Sequence, residues 1–304
     1  AMSPASLFVP SCAPSLRATF LVFCVDQRKV LALRLRRSNL HLDAGAAMWP
    51  VLVLDMLLWA YIIPLFAALA WLPFWAYHAL LSSPRPLWLS DPWELTLRWF
   101  VAFHGLTVVD ADGADTLLIP NVAAERGAIL SNHRSFGDFA FDPCQAHAPV
   151  MSRYAAIAAT GLSGLLGILS NRIIAIHRGV DTREAIQAKC ARHPRYLFYP
   201  EGTRRANKPN AMEPDALRAG GLKNCYESRT PAIIVITDGK ERIWNEKTGR
   251  CSFRTVLYRA RHAPIRPADH ESFDAFFAAV EKAWIATWRR AYAMRAERER
   301  AALL

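Results

Sequence analysis

Hydrophobic and polar positions divide this chain into two regimes. Residues 56–77 form an uncharged apolar run, long enough as a helix to cross the roughly 30 Å of a bilayer's hydrocarbon. Trp49, Trp59, Trp71, Trp75 and Tyr77 are spaced through and beside it as interface aromatics are, and Asp55 stands just before it. Pro64 and Pro73 predict kinks, so a spanning helix and a monotopic hairpin dipping into one leaflet both fit the pattern. Beyond residue 85 the runs shorten, and brief apolar stretches alternate with segments of helical period.

Asp91, Pro92 and Glu94 open a helix that runs to about residue 103, with a cap, a first-position proline and an acid in the first turn. Strands are expected at residues 105–109, 128–130, 172–179, 196–199, 231–237 and 252–258. Helices are expected from Ser135, at 181–191 and at 269–301. In the last of these, Phe273, Phe276, Phe277, Val280, Trp284 and Trp288 recur at helical steps and make one apolar face. Its arginines, Arg289, Arg290, Arg295, Arg298 and Arg300, read as a solvated end. Residues 155–170, apolar and rich in Gly and Ala, are too short to span and are expected as a buried helix or a wall of a hydrophobic site. Residues 240–251 read as a polar hairpin or loop. The alternation gives the fold class: α/β, a mixed, largely parallel sheet flanked by helices, preceded by an N-terminal membrane-associated helical segment. Three stretches follow: a tail of uncertain order at 1–47, a membrane-associated helical segment at 48–84, and the α/β domain with its long C-terminal helix at 85–304.

Composition strengthens the membrane reading. Of 304 residues 53% are hydrophobic, and mean hydropathy is +0.09, high for a soluble protein. The net charge of +11 suits an anionic lipid surface or a phosphorylated substrate. No nucleic-acid partner is expected, because ten Trp and a long apolar run fit no such module. Six cysteines without CxxC spacing argue against a disulfide framework or a metal cluster, and for a reducing compartment.

Candidate chemistry centres on residues 127–142, GAILSNHRSFGDFAFD. The apolar run ends at Ser131-Asn132, which puts His133 on the turn after a strand. On one continuous helix, His133 and Asp138 would point well apart. Ser135 and Gly137 allow the bend that brings them together. Asp138 then accepts the ring N–H, fixes the tautomer and leaves the other nitrogen as a base. Further on, FYPEGTRR follows another strand. Gly202 permits a tight turn, Thr203 and backbone N–H groups suit phosphate or carbonyl oxygens, and Arg204 offers paired donors in a plane. An ion pair between Glu201 and an arginine is the plainer alternative. No GxSxG elbow is present, which disfavours a serine hydrolase.

NHRSFGD followed by YPEGTR, in that order and at that separation, resembles the glycerolipid acyltransferases, the lysophosphatidic acid acyltransferase family that uses acyl-CoA or acyl carrier protein. The resemblance covers roughly residues 100–245. It implies that His133 and Asp138 are the catalytic pair, and that Glu201, Gly202, Thr203 and Arg204 bind the acceptor phosphate. Arg178 matches the strand-end arginine of the family's second motif, although His177 precedes it where an Asp is common. The fourth motif is met only in part, by the apolar strand after Pro231, which lacks a second proline.

What the resemblance implies is an acyltransferase domain at 85–304 that moves a fatty acyl group from acyl-CoA to the free hydroxyl of a lysophospholipid. The leading acceptor is 1-acyl-sn-glycerol 3-phosphate, giving phosphatidic acid. The same chemistry on glycerol 3-phosphate, monolysocardiolipin or another lysophospholipid is the alternative. A catalytically silent membrane-bound scaffold is the alternative of another class. The expected partners are the bilayer, the lysophospholipid and the acyl-CoA co-substrate, with no cofactor or metal; the expected location is a membrane, the endoplasmic reticulum or another organelle.

Overall fold

Where the sequence turns apolar in short stretches, the chain forms strands. The computed structural model describes residues 48–69, 72, 92–111, 126–177, 179–204, 214–245 and 248–301. The expected tail at 1–47 lies outside the described residues, as do Trp71, Pro73, Trp75, Tyr77, Asp91 and Arg178. By its contacts the chain divides into Ala1–Ala44 and Gly45–Leu304, so the apolar helix belongs to the same unit as the sheet.

The strands are β1 (Thr107–Asp110), β2 (Gly127–Ser131), β3 (Val150–Arg153), β4 (Ile173–Ile176), β5 (Arg195–Phe198), β6 (Ala232–Asp238), β7 (Trp244–Asn245), β8 (Arg250–Cys251) and β9 (Val256–Arg261). Seven of them make one sheet in the order β1-β9-β6-β2-β5-β3-β4, and β7 pairs β8 in a separate hairpin. From β6 to β4 the five strands are parallel, while β9 runs antiparallel to β6 and parallel to β1. The mixed, largely parallel sheet expected from the sequence is the one observed.

Central parallel strands need cover on both faces, and the alternation within them supplies it. Ile129, Leu197, Ile233 and Val235 join a core with Leu97 and Phe100 of helix α2 (Pro92–His104) and Phe141 of α3 (Asp138–Ala146). Leu130, Phe198, Ile234 and Ile236 face the other way. There they meet Phe276, Val280, Trp284 and Trp288 of the final helix, Phe273–Ala301, the apolar stripe expected there.

Helix α1 (Met48–Leu57) continues through a π turn, Leu58–Ile62, to residue 69. The π turn explains how Pro64 is tolerated. In a regular helix its ring would strike the Ala60 carbonyl; here the N–H of Ile63 reaches back to Leu58 O and the helix widens. Among the described residues, Pro50–Leu69 is one helix long and apolar enough to cross a membrane. One side of it (Leu52, Asp55, Trp59, Ala67) is buried against the α/β unit, while Leu54, Leu57, Phe66 and Leu69 are exposed.

Several expectations need correction. The helix after the His133 turn starts at Asp138 rather than Ser135, because the Asp138 side chain captures the Ser135 N–H and hydroxyl and holds them outside the helix. Residues 155–170 do wall an apolar pocket, through Ala156, Ile157, Thr160 and Ser163, but as two helices, α4 (Tyr154–Ala159) and α5 (Gly161–Leu169), with Leu165 and Leu169 exposed. They part at Gly161, whose φ of +58° and lack of a Cβ, which would lie 2.6 Å from Tyr61 Cζ, let α5 lie against the apolar helix. Strand β3 and the helix Ala219–Glu227 were unexpected, and β9 begins later than residue 252. The arginine-rich end is only partly solvated, since Arg295 reaches Asp238 at 3.5 Å and Glu241 at 3.7 Å.

Candidate active site

Three adjacent parallel strands, β6, β2 and β5, deliver the candidate residues from their C-terminal ends, where open α/β sheets bind ligands. His133 follows β2, Tyr199 through Arg204 follow β5, and Lys240 follows β6. Asn132 ties two of these ends together: its amide donates to Thr237 O at 3.0 Å and its carbonyl accepts the Thr237 N–H at 2.9 Å.

The bend brings His133 to Asp138, with Nδ1 3.0 Å from Oδ2. The same carboxylate accepts the N–H of Arg134, the N–H of Ser135 at 3.0 Å and the Ser135 hydroxyl at 3.1 Å. Burial alone would raise the Asp138 pKa, but Lys240, the His133 contact and the Ser135 amide outweigh it and hold the group below its ordinary value. An ionised carboxylate only accepts, so His133 donates from Nδ1 and its lone pair sits on Nε2. Burial pushes the His133 pKa below 6.5; Asp138 pulls it upward, and Lys240 and Arg204 push it down. The imidazole is therefore neutral and ready to take a proton at neutral pH. Tyr199 stacks on the ring at 4.1 Å and Phe139 meets it edge to face at 5.3 Å, which fixes its plane.

Glu201 is buried, and its Oε2 accepts the backbone N–H of His133 at 2.7 Å. Burial raises its pKa to about 7, against the pull of that N–H and of Arg134 and Lys240. Gly202 takes a φ of +72°, the left-handed conformation that its turn requires, and Thr203 is exposed. Arg204 is half-buried with its guanidinium 5.1 Å above the Phe136 ring, close enough to His133 to act on its charge.

Sequence reasoning missed Lys240, which it placed in a polar hairpin. The residue is fully buried, and its Nζ donates to Asn132 O, to Ser131 Oγ at 3.2 Å and to Asp142 Oδ2 at 2.7 Å. The one available hint was its position directly after an apolar strand. Asp142 was equally silent; burial raises its pKa to about 6.

Beside this centre lies an apolar pocket lined by Met56, Trp59, Leu97, Phe136, Phe139 and Trp244. Phe139 belongs both to its wall and to the His133 contact, so one aromatic ring stands between the pocket and the imidazole. The apolar helix is held there by Asp55, whose Oδ1 accepts the Trp59 indole N–H at 3.0 Å. Its Oδ2 accepts the Trp244 indole N–H at 2.7 Å and contacts His104 Nε2 at 2.8 Å. Asp55, His104 and Cys251 are the group among the described residues whose donor atoms converge within 4.8 Å, as a metal would need. Here they satisfy one another and two indoles, and the cluster works as a hydrogen-bonded clasp.

No protein-family model matches the chain, and no curated protein matches it in sequence. The fold is similar to the crystal structure of the 1-acyl-sn-glycerophosphate (LPA) acyltransferase PlsC from Thermotoga maritima, with a TM-score of 0.53 and 15% identity. That likeness covers 81% of this chain and 98% of the other.

Proposed function

We propose that this chain is a membrane-bound acyltransferase that moves a fatty acyl group from a thioester donor, acyl-CoA, to the free hydroxyl of a lysophospholipid. The observation that carries the reading is His133 held through Nδ1 by an ionised Asp138, with Phe139 shared between its ring and the wall of an apolar pocket. A thioester is already activated, so the protein must deprotonate the hydroxyl, align it and stabilise the developing oxyanion. Nε2 of His133 takes the hydroxyl proton as the oxygen attacks the thioester carbonyl. The thiol leaves with a proton, and no covalent intermediate on the protein is needed. Arg204, with Thr203 and the amides of the turn at Gly202, is suited to an acceptor phosphate, which favours 1-acyl-sn-glycerol 3-phosphate and phosphatidic acid as product. The likeness in fold to an LPA acyltransferase supports the same choice. Thiol release from acyl-CoA should rise with lysophosphatidic acid and less with glycerol 3-phosphate or neutral lysolipids. Absence of acceptor-dependent release would favour a silent scaffold.

Attachment to the membrane is part of the proposal, as a helix lying in one leaflet. A helix clasped through Asp55 and packed along the α/β unit has one free apolar side, and Leu165 and Leu169 extend the apolar surface. The compartment is left at a membrane, since nothing observed favours the endoplasmic reticulum. High salt should fail to release the protein while detergent succeeds, because the contact is apolar; release by salt alone would count against it.

A further inference from the structure

We infer that Lys240 is a positioning residue, whose ammonium keeps Asp138 an acceptor and thereby fixes the ring proton of His133 on Nδ1. The inference rests on the acid–base reading of His133 above. Lys240 Nζ lies 3.9 Å from Asp138 Oδ2 and 2.7 Å from Asp142 Oδ2, and all three groups have no solvent exposure. Two carboxylates this close, away from water, do not both ionise without a cation between them. The ammonium has three N–H groups, and Asn132 O, Ser131 Oγ and Asp142 take them, so it is locked in place. Asn132 and Ser131 belong to the chain leading into His133, so one side chain grips both the turn and the charge of its carboxylate.

The consequence is specific. Without the ammonium, the buried carboxylates Asp138 and Asp142 share one proton between them, and where it sits on Asp138 the O–H donates to Nδ1. The ring proton then resides on Nε2, and the lone pair no longer faces the acceptor hydroxyl. The other charged or titratable neighbours are Tyr199 and Glu201 after β5, Arg204 beyond them, and Arg134 on the turn itself. Arg134 also acts on Asp138 through its charge; Lys240 differs in standing between the two carboxylates, 3.9 Å from Asp138 Oδ2 and 2.7 Å from Asp142 Oδ2.

The experiment follows histidine ring nitrogens by NMR against pH in the full chain in detergent, with His133 assigned from the His133→Ala spectrum. Lys240→Met should move the titration of the His133–Asp138 pair upward by about one to three pH units. Asp142→Asn still gives Lys240 an amide oxygen to hold but leaves its charge uncompensated, so the titration should move down. An unchanged midpoint in folded Lys240→Met, or shifts of the same sign in both variants, would overturn the inference. If Lys240→Met does not fold, Asp142→Asn decides alone: a downward shift supports the inference and no shift overturns it. The readout needs no substrate. A wild-type chain without acyl transfer that still gave these shifts would discard the acyltransferase reading and keep this one.

Discussion

The backbone N–H of His133 donates to Glu201 Oε2 at 2.7 Å, so two motifs 68 residues apart meet in a single hydrogen bond. Glu201 thus holds the turn that carries His133. Its pKa is raised from 4.5 to about 7, chiefly by burial. Below the unfolded value both states carry the proton. Between 4.5 and about 7 the unfolded chain releases it first, so Glu201 makes stability fall as pH rises, by about 3 kcal/mol at most. Glu201→Gln keeps an oxygen for the His133 N–H and removes the titration. Melting curves from pH 5 to 8 should show the variant gaining on the wild type; parallel curves would sink the assignment.

His133→Ala should lower turnover by about 10² to 10⁴-fold in a chain that still folds, with the melting temperature lowered because a buried, stacked ring is lost. Asp138→Asn should cost stability as well as rate, since one amide oxygen cannot serve the four donors that the carboxylate satisfies. A folded His133→Ala protein with near-normal turnover would remove the base from the mechanism.

Acid should switch the reaction off through His133. Its pKa is depressed first by burial, so the acid limb of the rate should have its midpoint below 6.5, with activity lost as pH falls through it. A limb centred above that value in wild-type protein would contradict the neutral, ready base.

Arg204→Lys keeps a charge but loses the planar fork. Transfer to a phosphate-bearing acceptor should fall about 10 to 150-fold, while hydrolysis of the donor by water stays nearly constant. Equal losses in both rates would mean that Arg204 holds the fold or the donor.

Asp55→Ala should destabilise the protein more than Asp55→Asn. Alanine leaves the Trp59 and Trp244 indoles without their acceptor, at about 1–3 kcal/mol for each buried donor, whereas Asn retains one oxygen. Thermal unfolding in detergent measures the difference, and equal melting temperatures would refute the clasp.

The His133–Asp138 contact was legible because a strand end, a bend and a carboxylate sit within one short stretch, and the long final helix because its aromatics repeat at helical steps. The apolar helix was legible from composition alone. Lys240 was not, because KERIWNEKTGRC looks like a solvated hairpin, and only the packing of β6 beside β2 buries its first residue. Asp55 read as a boundary charge, since its partners Trp244 and His104 lie far along the chain. The helix Ala219–Glu227 was hidden by Gly220 and Gly221, which suggest a loop. Gly221 is there for proximity: a Cβ would lie 2.5 Å from the Phe198 ring. Strand β3 is too short and too mixed to declare itself; it exists because β4 and β5 offer it edges.

The Asp55 clasp also orders events in time. Synthesis delivers the apolar helix first, carrying a carboxylate for which Trp59 is the one ring partner within that helix. Trp244 arrives 189 residues later and Cys251 196 residues later. His104 comes 49 residues after Asp55 and gives the acid a first distant partner, so until Trp244 is made the clasp is only partly closed. Its final seat therefore comes into being only once the β7–β8 hairpin has been made, and this helix is among the last parts of the unit to lock. A ribosome-bound chain from which residue 244 has not emerged should hold this helix open to protease, and one from which residue 261 has emerged should shield it.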